Sequence, residues 1–147
     1  MQAAAQRMVR RWGRRGPFLL FLGAGKVFFG VGMIVTPPAQ TGLALLTNLA
    51  PLHYWALTWI IAGAVTFGSA FVRFGRDRWG FIAAQLPPTL WAFAYGWAAV
   101  TGIYPRGVWI FLWYITAHCG VIWCASRVPP EPRAGRPVLE AVEGRPR

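Results

Sequence analysis

The sequence predicts an all-α protein: a four-helix transmembrane bundle with both termini cytoplasmic (N-in/C-in) and a short interfacial segment between helices 1 and 2. Three observations point there. The chain of 147 residues is 56% hydrophobic and only 13% charged. Its charges gather in two tails and one short loop, whereas a soluble domain spreads charge over every solvated face. Between Gly16 and Arg106 the only charged residues are Lys26, Arg73, Arg76, Asp77 and Arg78.

Residues 1–17 read as a basic cytoplasmic tail, with Arg7, Arg10, Arg11, Arg14 and Arg15. The first apolar run, 18–36, nearly spans a hydrocarbon core of about 30 Å at helical rise. It fits an uncleaved anchor better than a signal peptide. The run is long for such a peptide, contains Lys26, and is followed by Pro37 where a small residue should precede cleavage. Residues 37–53 carry no formal charge and space Leu43, Leu46 and Leu49 three apart, which predicts a short amphipathic piece in the outer interface.

The second span is predicted over 54–74, with Tyr54, Trp55 and Trp59 marking an interface at one end and Arg73 at the other. A tight loop, 75–78, leads to the third span, 79–103. There Pro87 and Pro88 remove two backbone donors and predict a bend. Residues 104–107 turn the chain into the fourth span, 108–126. The final stretch, 127–147, is rich in Pro and Arg, a composition that cannot bury a core, and reads as a disordered cytoplasmic tail.

Orientation follows from arginine placement. With the N-terminus inside, thirteen Arg fall on the cytoplasmic side and only Arg106 outside, which the positive-inside rule assigns to both ends in the cytoplasm of a cell inner membrane. Arg10, Arg11, Arg14, Arg15, Arg73, Arg76, Arg78 and Arg127 are then expected at anionic lipid headgroups. The net charge of +11 flanks hydrophobic runs instead of lining one folded face, so nucleic acid is not an expected partner.

Lys26 is the most informative residue. It lies roughly 13 Å into the first span at helical rise, where a charge costs about 2.5–3.5 kcal/mol even on the lenient insertion scale. No Asp or Glu falls within a span to pair with it. Depth counting adds Thr66, Gln85 and His118 at similar levels, and helical spacing adds Ser69 on the face of Thr66 and Tyr114 one turn before His118, which predicts an intramembrane polar layer. That layer either holds the helices together or lines a hydrated path. Against it stands a plainer reading, in which Lys26 snorkels and the others make ordinary hydrogen bonds.

Small residues recur at spacings of four and seven: Gly23 with Gly30, Gly25 with Gly32, Ala62 with Thr66 and Ala70, and Ala94 with Ala98 and Gly102. Such stripes let helices approach closely, within one chain or between copies, and a homo-oligomer is expected. Cys119 and Cys124 sit five apart on one helix, about 140° around its axis, which gives no disulfide geometry. One His beside two Cys is too few ligands for a metal. No catalytic residue, cofactor or metal site is expected.

The stretches Arg14-Arg15-Gly16-Pro17-Phe18-Leu19-Leu20 and Gly75-Arg76-Asp77-Arg78-Trp79-Gly80-Phe81 resemble small polytopic membrane proteins of actinobacterial phages, some of them holins. Together they cover about a tenth of the chain. A looser likeness, through Leu22-Gly23 and Gly30 ahead of Pro37-Pro38, is to four-helix bacterial membrane proteins of the DoxX type. The first resemblance implies a non-enzymatic protein that acts by helix association in the inner membrane. The second implies an accessory or scaffold subunit with a membrane or cytoplasmic protein partner.

Overall fold

The computed structural model describes residues 15–38, 41–72 and 77–128. All secondary structure among them is helical. Helix α1 spans Arg15–Val35. Pro17 is tolerated in its first described turn, and helix is already present three residues before the apolar run. A 3₁₀ turn, Thr41–Leu43, leads into α2, Ala44–Leu49. Pro51 then makes a corner of 90° into α3, Leu52–Ser69. Helix α4 is Arg78–Val100 and α5 is Gly107–Arg127.

Two helices, α1 and α5, are each 21 residues long and apolar enough to cross a membrane. A third joins them if the bent pair α2 and α3 counts as one span. Helix α4 has 23 residues, but Arg78, Gln85, Pro87, Pro88 and Thr89 lower its hydropathy and it does not meet the same criterion. Its helical winding runs through Pro87 and Pro88 without a break. Both prolines are buried; spanning helices tolerate proline when neighbours and local adjustments satisfy the freed carbonyls.

Each long helix packs antiparallel to the next in the order α1, α3, α4, α5. Helix α1 lies along α3, because glycines on both faces let the backbones meet. A Cβ on Gly23 would stand 2.7 Å from the Gly63 oxygen, and one on Gly30 2.8 Å from the Ala56 oxygen. Ala62, Ala70, Ala94 and Ala98 are buried as well. Gly102 departs from the predicted packing stripe. It is exposed, takes φ +74° after the end of α4, and lets the Tyr104 N–H reach the Ala98 oxygen at 2.8 Å. Glycine adopts that conformation without a Cβ penalty.

Two apolar clusters form the core. One joins Met33, Leu43, Leu46, Ala56, Trp59, Trp91 and Ala94; the other joins Leu19, Ala70, Phe81, Ala84 and Ile122. The segment expected at the interface thus contributes Leu43 and Leu46 to the first cluster, while Leu49 is exposed. Trp59 corrects the sequence reading. Predicted at an interface, it is 3% exposed, because one helical face carries Trp59, Ala62, Thr66 and Ala70 inward.

Outward the pattern inverts. Phe21, Val35, Val100 and Trp109 are among many large apolar side chains left exposed, whereas Lys26, Thr66, Ser69 and Asp77 are buried. Water-soluble proteins do the reverse. The expected headgroup arginines Arg10, Arg11, Arg14, Arg73 and Arg76 lie outside the described residues, as do most of both predicted tails.

Candidate functional site

Between the two apolar clusters lies a polar level. On α1, Lys26 falls between Leu19 and Met33; on α3, Thr66 falls between Trp59 and Ala70. The six residues of the predicted layer do not form one site there. They divide into a packing group and a cleft group.

The packing group sits where α3 meets α4. The Thr66 hydroxyl donates to the Ala62 oxygen at 2.7 Å and lies 3.2 Å from the Gly80 oxygen on α4. Ser69 donates back to the Val65 oxygen at 2.7 Å. Gly80 makes the approach possible, since a Cβ there would stand 2.4 Å from the Ser69 Cβ. Gln85 is half-buried on α4, one turn before Thr89, whose hydroxyl donates to the Gln85 oxygen at 2.9 Å. The same hydroxyl lies 3.6 Å from the Cys119 sulfur on α5.

The cleft group is Lys26, Tyr114 and His118. They line a cleft of about 260 Å³ between α1, α3 and α5. Helix α1 also lends Phe21, Leu22, Gly25 and Phe29, and α3 lends Trp59. Lys26 Nζ stands 4.7 Å from the Trp59 ring centroid, a cation–π contact that desolvation strengthens. It has no hydrogen-bond partner among the described residues. Trp59 is the hub of the rings, with centroids 4.5 Å from Phe29, 5.3 Å from Trp91 and 6.5 Å from Tyr114. Tyr114 stacks on His118 at 5.2 Å.

Local winding aims the last two residues. The middle of α5, Tyr114–Gly120, is a π-helix, with α-helix before and after it. The wider turn shifts the register of α5 there, and such turns recur at functional sites. Nothing in the residue types of this stretch announces it. Trp59, which the sequence reading left out of the layer, carried a usable signal: it lies seven residues before Thr66, on the same helical face.

One end of the molecule is tied by Arg15, which sequence reading had placed at lipid headgroups. Its guanidinium reaches Asp77 Oδ2 at 3.5 Å, donates to the Ser126 oxygen at 2.5 Å and donates also to the Val128 oxygen. It lies over Phe81 as well, 5.6 Å from the ring centroid. Arg15 therefore joins the starts of α1 and α4 to the end of α5, where orphan carbonyls and the negative end of the dipole favour a cation. Arg78 and Arg127 are exposed, over Trp79 and Trp123 respectively.

Both cysteines are free thiols. No group of three or more His, Cys, Asp or Glu that could hold a metal occurs among the described residues. No family model matches the chain, and no curated protein or solved structure matches it either.

Proposed function

We propose that this chain is a non-enzymatic, four-span integral membrane protein, with both ends in the cytoplasm, that serves as a scaffold or accessory subunit by associating with other membrane helices. The observation that carries this reading is the inverted exterior: rings and aliphatic chains face outward while Lys26 and Thr66 face inward. Helices α3 and α4 cross with α1 and α5 in this reading because they are packed antiparallel between them. At 23 residues, α4 reaches about 34 Å at helical rise, enough to span.

Subunit association is favoured over lesion formation because one glycine face of α1 is already committed. Gly23, Gly30 and Gly63 are consumed by the contact of α1 with α3. The phage-type, holin-like reading keeps one observation of its own: Gly25 and Gly32 stay open, with nothing within 4 Å of a Cβ at either. Copies of the chain could meet along that stripe as a homo-oligomer.

Inducible expression in bacteria carrying a co-expressed cell-wall hydrolase separates the two. Harmless accumulation in the membrane is the result expected of a subunit. Abrupt loss of membrane potential with release of the hydrolase would replace it with the lesion reading. A fluorescent protein fused to the C-terminus should mature in the cytoplasm; a dark fusion that matures when redirected would overturn the orientation.

A further inference from the structure

Lys26 and Asp77 are the buried charged side chains among the described residues. Asp77 is the sole carboxylate among those residues, and it is held by Arg15 at one end of the molecule. From Arg15 to Lys26 the helix rises roughly 16 Å, so no described carboxylate reaches the ammonium. Lys26 is 3% exposed and its Nζ lacks any hydrogen-bond partner among the described residues. A cation taken out of water without partner groups is costly, and a complementary anion offsets much of that cost.

The surroundings define what that anion looks like. The cleft that Lys26 lines holds about 260 Å³, the volume of roughly nine waters at about 30 Å³ each. It opens along one side, so a carboxyl group and the first methylenes fit within it while the rest of a chain lies outside. Its rim on α1 carries Phe21, 75% exposed, and Phe29, 42% exposed, so the cleft opens sideways toward hydrocarbon. Tyr114 and His118 face it from α5.

We propose that this cleft binds the carboxyl group of a long-chain carboxylic acid entering laterally from the bilayer. Lys26 Nζ, covered in this structure and held over the Trp59 ring, swings into the cleft to donate to the carboxylate in a charge-assisted hydrogen bond. Its chain lies over the rings of Phe21 and Phe29. A single-chain acid brings only one small carboxyl group to a lysine some 16 Å below the Arg15 end, where a phosphate head would bring a larger and more strongly hydrated one.

The test is photolabelling of the full chain in lipid nanodiscs with a diazirine-bearing palmitic acid, mapped by mass spectrometry. Label is expected on α1 around Phe21, Gly25 and Phe29. In Lys26→Met it should fall about tenfold or more, the loss expected of one hydrogen bond to a charged group. Gly25→Leu supplies a second variant. A Cβ there meets nothing within 4 Å, so the helix accommodates it while the side chain fills the mouth. It should lose label with Lys26 still present, and thermal melts confirm that both variants fold.

The methyl ester of the same probe should label only weakly. Equal labelling by acid and ester would mean that the cleft merely fills with lipid chains, and would overturn the proposal. Undiminished labelling of Lys26→Met would overturn it too. So would stronger labelling by a diazirine phosphatidic acid. A second membrane polypeptide that blocks the acid until it is stripped away would assign the cleft to that protein's carboxylate instead.

Discussion

Gly23 and Gly63 pack backbone against backbone: a Cβ on the first would stand 2.7 Å from the carbonyl oxygen of the second, and a Cβ on the second 2.8 Å from that of the first. The Phe67 nitrogen closes in to 2.4 Å from the same Gly23 Cβ. Backbone atoms cannot rotate aside, so Gly23→Ala must push α1 off α3. A loss of about 1–3 kcal/mol is expected from such overpacking. Gly32→Ala meets nothing and should stay within about 0.5 kcal/mol of the parent. Unfolding in detergent measures both. Equal melting of the two variants would show that this contact is not close in the membrane.

Arg15→Ala removes the links to Asp77 and to the Ser126 and Val128 carbonyls together. A hydrogen bond to a charged group contributes about 1.5–3 kcal/mol, which sets the scale of the loss. Fraying should be local. Hydrogen exchange is expected to quicken in Val121–Arg127 while the centre of α3 is unchanged. Arg15→Lys should recover only part of the protection, because an ammonium lacks the guanidinium fork. Uniform quickening along the chain would argue against a clasp.

Thr66→Val removes a fully buried hydroxyl shared between the Ala62 and Gly80 oxygens. Interhelical hydrogen bonds in membranes average about 0.6 kcal/mol and reach about 1.7, and the upper half of that range is expected here. Thr116→Val is the control. Its hydroxyl donates to the Leu112 oxygen of its own helix at 2.7 Å on an exposed face, and its removal should change little. A larger effect at Thr116 than at Thr66 would contradict the packing of α3 on α4.

Each apolar run that the sequence marked as a span became a long helix, because hydrophobic runs and helix breakers act locally. The ends were less legible. Helix α3 stops at Ser69, five residues before Phe74, and the chain turns at Ala70–Val72. Trp59 was misplaced because interfacial belts and buried ring clusters draw on the same residue, and only its angle around α3 distinguishes them.

Half of the candidate site was readable and half was not. A lysine in an apolar run marks itself, so Lys26 could be singled out. The partners of Arg15 are more than a hundred residues away in the chain at Ser126 and Val128, so its neighbours in sequence made it look like one more surface charge. The π-helix in α5 was invisible for a different reason. No residue type in Tyr114–Gly120 singles out that winding over an ordinary α-helix.

The position of Arg15 sets the order in which the fold can be completed. Ribosomes release the start of the chain first, while the two carbonyls it grips lie at the far end of α5. The earliest helix therefore waits in the bilayer with Asp77 but not these carbonyls for its guanidinium until the final one arrives, and a chain cut short before Ser126 would insert without closing that clasp.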